Sequence, residues 1–232
     1  MGPEMLLYAI PILSSNASKY VDGVAFHWYD GPDWSSISTL HSLYPNIMYL
    51  ATEATAGRGP QGTSWWLPNS TVGSDFWNTG EFYGTYIMND LLSWADGFID
   101  WNIILDQNGG PDHGDPTGEL CEGLIPCGSD AMIIADVRSS PPLVYRQAFY
   151  YYMAHFSRFV LPESVRIQCA VQAGSGGQSG NITAVAFTSP SGSTVLVVMN
   201  TFSTDQSFSV IDPRYGAVST SIQAHSIETW QW

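Results

Sequence analysis

The sequence is poor in charge and nearly devoid of lysine. Only 12% of its 232 residues are Asp, Glu, Lys or Arg, about half the share of an average soluble domain, and Lys19 is the single lysine. With 7 Lys+Arg against 21 Asp+Glu the formal charge is -14. A chain without a basic surface has nothing with which to neutralise phosphates, which excludes nucleic acid as a partner. Cysteine is scarce too. Cys121, Cys127 and Cys169 are too few for a disulfide scaffold, and none of their spacings suits zinc, so no metal is expected. No apolar run reaches the roughly 18 to 20 residues of a membrane span, so no transmembrane segment is expected. The apolar stretch Met5–Leu13 has no Lys or Arg before it and reads as ordinary core, not as a leader.

What is present excludes disorder: 44% of the residues are hydrophobic and 13% aromatic, enough for a core that needs no covalent staples at this length. Cys121 and Cys127 flank the short loop Glu122–Pro126 and are either a local disulfide or two thiols, depending on whether the compartment oxidises. Asn16, Asn69 and Asn181 head glycosylation sequons, and together with the acidic balance they point to the secretory pathway.

The first part of the chain alternates short apolar runs with helical spacings. Asp22–His27, Ile47–Ala51 and Gly97–Trp101 read as buried strands, while Ile37, Leu40 and Leu43, then Ile87, Leu91 and Trp94, repeat with a helical period. Strand alternating with helix is the pattern of a parallel β/α architecture. Leu143–Phe159 reads as one long buried helix ending before Pro162. Beyond it come strand runs broken by turns, at Val165–Val171, Thr183–Phe187, Thr194–Met199, Ser207–Ile211 and Ser226–Trp230, the pattern of an antiparallel sandwich. The division is therefore 1–160 and 161–232. A complete eight-unit barrel takes about 250 residues, so the first part is either a small open sheet or part of a barrel.

Polar and aromatic residues gather at the carboxyl ends of the parallel runs: His27, Trp28 and Tyr29 after the first, Glu53 after the second, Trp101 and Asn102 after the third. In a barrel those ends form the catalytic face. Glu53 lies in Leu50-Ala-Thr-Glu-Ala-Thr-Ala-Gly57, where a buried charge is costly unless it has a purpose. It could also open the next helix, and Trp28, Tyr29 and Trp101 could each be core aromatics.

Five motifs in order, Val24-Ala-Phe-His-Trp-Tyr29, Ala51-Thr-Glu-Ala54, Asp100-Trp-Asn102 with Gly109-Gly-Pro111, Ala154-His-Phe-Ser-Arg-Phe159 and Pro190-Ser-Gly192, resemble the carboxyl-terminal half of the lysosomal acid β-glucosylceramidases of glycoside hydrolase family 30. The resemblance implies strands six to eight of a (β/α)8 TIM barrel followed by a β-sandwich. It implies a retaining β-glucosidase that splits glucosylceramide into glucose and ceramide, with Glu53 as nucleophile, His27 and Tyr29 beside it, and Trp101 with Asn102 at the glucose subsite. It implies no cofactor, a lysosomal or secreted product whose signal peptide lies upstream of Met1, and a saposin-type activator and an anionic lipid surface as partners. The family's acid/base glutamate follows an asparagine, and no Asn-Glu dipeptide occurs in this chain. The acid/base residue is thus absent, and the chain is expected to be a carboxyl-terminal fragment, inactive alone. Asp30, Asp33, Asp96 and Asp100 offer no replacement, Asp100 because alternation turns it away from Trp101. Segment 113–130 matches nothing securely. The remaining alternatives are a non-catalytic glycan- or lipid-binding protein and a family member acting on β-1,6-glucan or xylan.

Overall fold

The computed structural model describes residues 4–29, 31–55, 73–106, 130–172 and 182–232. Asn69, Asn181, Cys121, Cys127 and the Gly109-Gly-Pro111 motif lie outside them. Two compact units are present, Met1–Gly80 with Asn89–Tyr150 and Glu81–Met88 with Tyr151–Trp232.

Helices α1 (Glu4–Leu13), α2 (Trp34–Leu43) and α3 (Gly73–Leu92) alternate with strands β1 (Gly23–His27), β2 (Met48–Glu53) and β3 (Gly97–Phe98); all of these lie in the first unit except Glu81–Met88 of α3. The strands form one parallel sheet in the order β1-β2-β3. Met5, Ala9 and Leu13 of α1 recur every four residues and pack with Ile37 and Leu40 of α2 onto Phe26, Tyr49 and Ala51 of the sheet. Pro11 is tolerated within α1 because the residue whose carbonyl it leaves without a donor, Leu7, is on the exposed side. Asp33 caps α2 by accepting the Ser36 amide on Oδ1 at 3.3 Å. Gly23 marks the closest approach of β1 to β2: a Cβ there would lie 2.6 Å from the Met48 carbonyl oxygen.

A second small sheet was not expected. β4 (Ile104–Asp106) runs parallel to β5 (Ile133–Asp136), which pairs antiparallel with β6 (Leu143–Arg146). The single helix expected over Leu143–Phe159 is corrected accordingly. Its first turn is β6, and only Ala148–Ser157 is helical, as α4. Tyr145 shares the spacing of Phe149 by coincidence, while the open edge of β5 takes up the backbone of 143–146.

Asp90 of α3 is 4% exposed, and its Oδ1 accepts a hydrogen bond from the Trp34 indole at 3.0 Å. Burial pushes its pKa up to about 7 although that bond acts the other way. An unfolded aspartate titrates near 4, so the native state holds a proton that the unfolded state has released. The stabilisation is fully present below about pH 4 and is lost as the pH rises to about 7, a change on the order of 4 kcal/mol. Urea midpoints measured between pH 4 and 7.5 should therefore fall with rising pH, and Asp90→Asn, which keeps an acceptor for Trp34, should flatten the decline. Equal wild-type midpoints across this range would refute the assignment.

The second unit holds β7 (Val165–Ile167), β8 (Ile182–Thr188), β9 (Thr194–Asn200), β10 (Gln206–Asp212), β11 (Gly216–Ile222) and β12 (Ser226–Gln231). Four of them form an antiparallel sheet in the order β12-β9-β8-β7, and β10 pairs with β11. β9, the apolar Thr194-Val-Leu-Val-Val-Met-Asn200, is buried along its whole length. Asn200 at its end is satisfied by donating to the Thr204 and Gln223 carbonyls at 3.0 and 2.8 Å and accepting from the Phe202 amide at 2.9 Å. The turn 190–193 joins β8 to β9 with Gly192 at φ 87°, as expected of a hairpin glycine. The run expected to 171 stops at Ile167, and β11 was not anticipated. Cys169 is a half-buried free thiol. Among the described residues no helix is long and apolar enough to cross a membrane.

Candidate active site

Parallel pairing sets the register that builds the site. Gly23 to Phe26 lie opposite Met48 to Ala51, and a one-residue irregularity after Phe26 places His27 opposite Glu53. Such a slip re-aims the side chains that follow it. Both residues therefore stand at the carboxyl ends of adjacent strands, with side chains 39% and 40% exposed. Tyr29, two residues beyond β1, donates its hydroxyl hydrogen bond to Glu53 Oε1 at 2.9 Å. His27 Nδ1 lies 3.9 Å from the same oxygen, and its ring meets Tyr29 edge-on at 5.7 Å between centroids.

Both contacts fall on Oε1. Among the described residues Glu53 Oε2 has no partner. One oxygen of the carboxylate is thus anchored and the other is left for chemistry. Partial burial first, then the hydrogen bond to Glu53, then the negative charges of Glu53 and Asp100, push the Tyr29 hydroxyl well above the ordinary phenol range. Tyr29 consequently remains a donor to Glu53 at every physiological pH.

Backbone bonding carries the β2–β3 pairing past the short β3. Ile99 donates to the Ala51 carbonyl at 2.8 Å and Trp101 to the Ala54 carbonyl at 2.7 Å, which fastens Trp101 to the residue after Glu53. Trp101 is half-buried against Leu105, Ala131 and Ile134 with Tyr145. Asn102 follows through a cis peptide and is also half-buried. The five candidate residues are thereby brought to one end of one sheet.

Two features escaped the sequence. Asp100 was expected to alternate away from Trp101, and its charge reaches Tyr29 in a stretch where the pairing of β3 ends at Phe98 and the chain bends at Trp101. The second feature is a brace behind Glu53. Thr55 Oγ1 donates to the Asp130 carbonyl at 3.4 Å, and the buried Asp130 carboxylate accepts from Gln147 Nε2 at 3.0 Å and from the Ala131 amide at 2.9 Å. A buried Asp in Ser129-Asp-Ala131 is the only sequence signal for it, and one residue does not reveal its partner. No group of three or more His, Cys, Asp or Glu among the described residues could hold a metal.

Residues 8–160 match the glycosyl hydrolase family 30 TIM-barrel domain, and residues 163–230 match the beta sandwich domain of the same family. The mouse lysosomal acid glucosylceramidase is 32% identical over 219 residues, which is 93% of this chain and 38% of the mouse protein. An endo-1,6-beta-D-glucanase of Aspergillus fumigatus is 26% identical over 221 residues, 93% of this chain and 38% of its own length. Among solved structures, SrfJ from Salmonella typhimurium shares the fold with a TM-score of 0.77 at 24% identity, covering 98% of this chain and 44% of SrfJ. The chain thus spans roughly two fifths of the length of these relatives.

Proposed function

Because the chain belongs to glycosyl hydrolase family 30, we propose that it supplies the nucleophile side of a retaining β-glucosidase that cleaves glucosylceramide to glucose and ceramide. The observation carrying this reading is the Glu53 carboxylate with Oε1 held by Tyr29 at 2.9 Å and Oε2 without a partner among the described residues. Oε2 attacks the anomeric carbon and forms a glucosyl ester as the bond to the leaving oxygen breaks. That oxygen takes its proton from a second carboxylic acid, which in a retaining enzyme stands about 5 Å from the nucleophile and which this reading assigns to the part of the enzyme upstream of this chain. The same group then removes a proton from water, whose oxygen attacks the anomeric carbon, displaces the Glu53 carboxylate and releases glucose with its original configuration. Tyr29 and His27 orient Glu53 during both steps. The Trp101 ring packs against the apolar face of the sugar, and Asn102 lies beside it.

The chain acts in this reading as the carboxyl-terminal part of a longer enzyme, in a lysosomal or secreted setting. The 32% identity to a lysosomal glucosylceramidase supports that compartment, as does the exposed sequon at Asn16. A saposin-type activator and an anionic lipid surface are the partners such a substrate calls for. A second reading is favoured by the fungal endo-1,6-beta-D-glucanases, which align over 92 to 93% of the chain: the same nucleophile acting on a β-1,6-glucan.

A glucosyl epoxide that traps the nucleophile tests the assignment. The complete enzyme should be labelled on the peptide bearing Glu53, with one sugar per chain. Label recovered on any other carboxylate overturns the mechanism, and failure to label together with release of glucose from a β-1,6-glucan favours the second reading.

A further inference from the structure

At the far end of the β10–β11 hairpin, Asp212 holds a group of side chains that the catalytic reading does not use. Its Oδ1 accepts from the Arg214 amide at 2.7 Å and from Arg214 Nε at 3.3 Å. Its Oδ2 accepts from Arg214 Nη2 at 3.1 Å and from the indole of Trp232 at 2.9 Å. Arg214 Nη2 also donates to Thr194 Oγ1 at 2.8 Å, and the Trp232 backbone pairs with Thr194 in both directions. The guanidinium lies over the Tyr215 ring, 5.2 Å from its centroid. Tyr215 is nonetheless 73% exposed and Trp232 36% exposed.

A tight turn requires only the Asp212 carboxylate on the Arg214 amide. The remaining bonds fix an arginine and an indole at the surface next to an open phenol ring, and they do so without an apolar core around them. Rings held rigid lose little entropy when a ligand stacks on them. Arg214 Nη1 has no partner among the described residues, so its two N–H groups remain to be satisfied. Aromatic faces flanking fixed donors match a pyranose, whose C–H face is apolar and whose rim carries hydroxyl acceptors. The formal charge of -14 opposes an anionic polymer at the same place.

We propose that Tyr215, Trp232 and Arg214 form a carbohydrate-binding site on the sandwich, built from none of the residues around Glu53, for an uncharged β-linked glucan. It rests on the family reading only for the choice of a glucan. Its work would be to hold a polymeric or surface-bound glycan near the enzyme without cleaving it.

Affinity electrophoresis of the 232-residue chain through gels containing pustulan, a linear β-1,6-glucan, tests the proposal, with dextran gels as the α-linked control. Retardation is expected in pustulan and not in dextran. Tyr215→Ala and Trp232→Ala should each weaken it at least about fivefold, while Trp101→Ala leaves it in place. Tyr215→Ala removes an exposed ring and none of the Asp212 bonds, so its thermal midpoint should equal that of the wild type. Wild-type migration unaffected by pustulan, or retardation that survives Tyr215→Ala, overturns the site. Retardation abolished by Trp101→Ala and kept in Tyr215→Ala places the glucan in the active site, supporting the family reading while refuting this one.

Discussion

Glu53→Gln, introduced into a complete enzyme containing this chain, is expected to lower turnover of a fluorogenic β-glucoside by several orders of magnitude and to leave the fold intact. The amide has nearly the volume of the carboxylate and can still accept the Tyr29 hydroxyl hydrogen bond found at 2.9 Å, so positioning survives. What disappears is the anionic Oε2 that would form the ester. Losses of this size follow removal of a nucleophile because the covalent route is closed, whereas binding of the substrate persists. Turnover and the urea midpoint should therefore separate, the first collapsing and the second changing little. Turnover near the wild-type rate would show that Glu53 is a structural carboxylate.

The second large effect concerns residues 1–232 on their own, which should hydrolyse no measurable aryl β-glucoside at acidic or neutral pH. A leaving oxygen that departs without general-acid help forfeits about 10²- to 10⁴-fold. Asp100, the second carboxylate whose charge reaches Tyr29, has its Oδ2 buried. The sheet order β1-β2-β3 leaves β1 and β3 as edges among the described residues, whereas a closed barrel gives each strand two neighbours. Supplying the upstream half of a relative in trans, with return of activity that Glu53→Gln abolishes, would confirm the division of labour. Hydrolysis by the isolated chain that depends on Glu53 would require a second carboxyl within it.

Where burial and periodicity coincide, the sequence could be read directly. His27 and Glu53 end apolar runs, and each run is a parallel strand with its polar residue at the carboxyl end. The elements that were missed are those without such a pattern. Ile104-Leu-Asp106 is three residues long, and Leu143-Val-Tyr-Arg146 abuts a helix whose spacing it happens to continue. β11, Gly216-Ala-Val-Ser-Thr-Ser-Ile222, is mostly small and polar, and what holds it is the ladder to β10. The pairing of Tyr29 with Glu53 followed from resemblance alone, since 24 positions separate them and no local rule links a tyrosine to a carboxylate at that distance. The elevated pKa of Asp90 was invisible because the burial that raises it is a tertiary effect, and the indole that opposes the rise belongs to Trp34, 56 residues earlier.

Gly23 gives the active site a weakness far from its chemistry. A methyl group at this position would press on the Met48 carbonyl at 2.6 Å, and a carbonyl fixed in a strand cannot step aside as a side-chain tip can. The two strands would have to part at their amino ends. Four residues on, roughly 13 Å away, the same strands set His27 opposite Glu53, so they behave like the blades of a pair of shears, and a small wedge at the handles changes the gap at the tips. A Gly23→Ala change would then impair the proposed catalysis through a residue that touches no substrate.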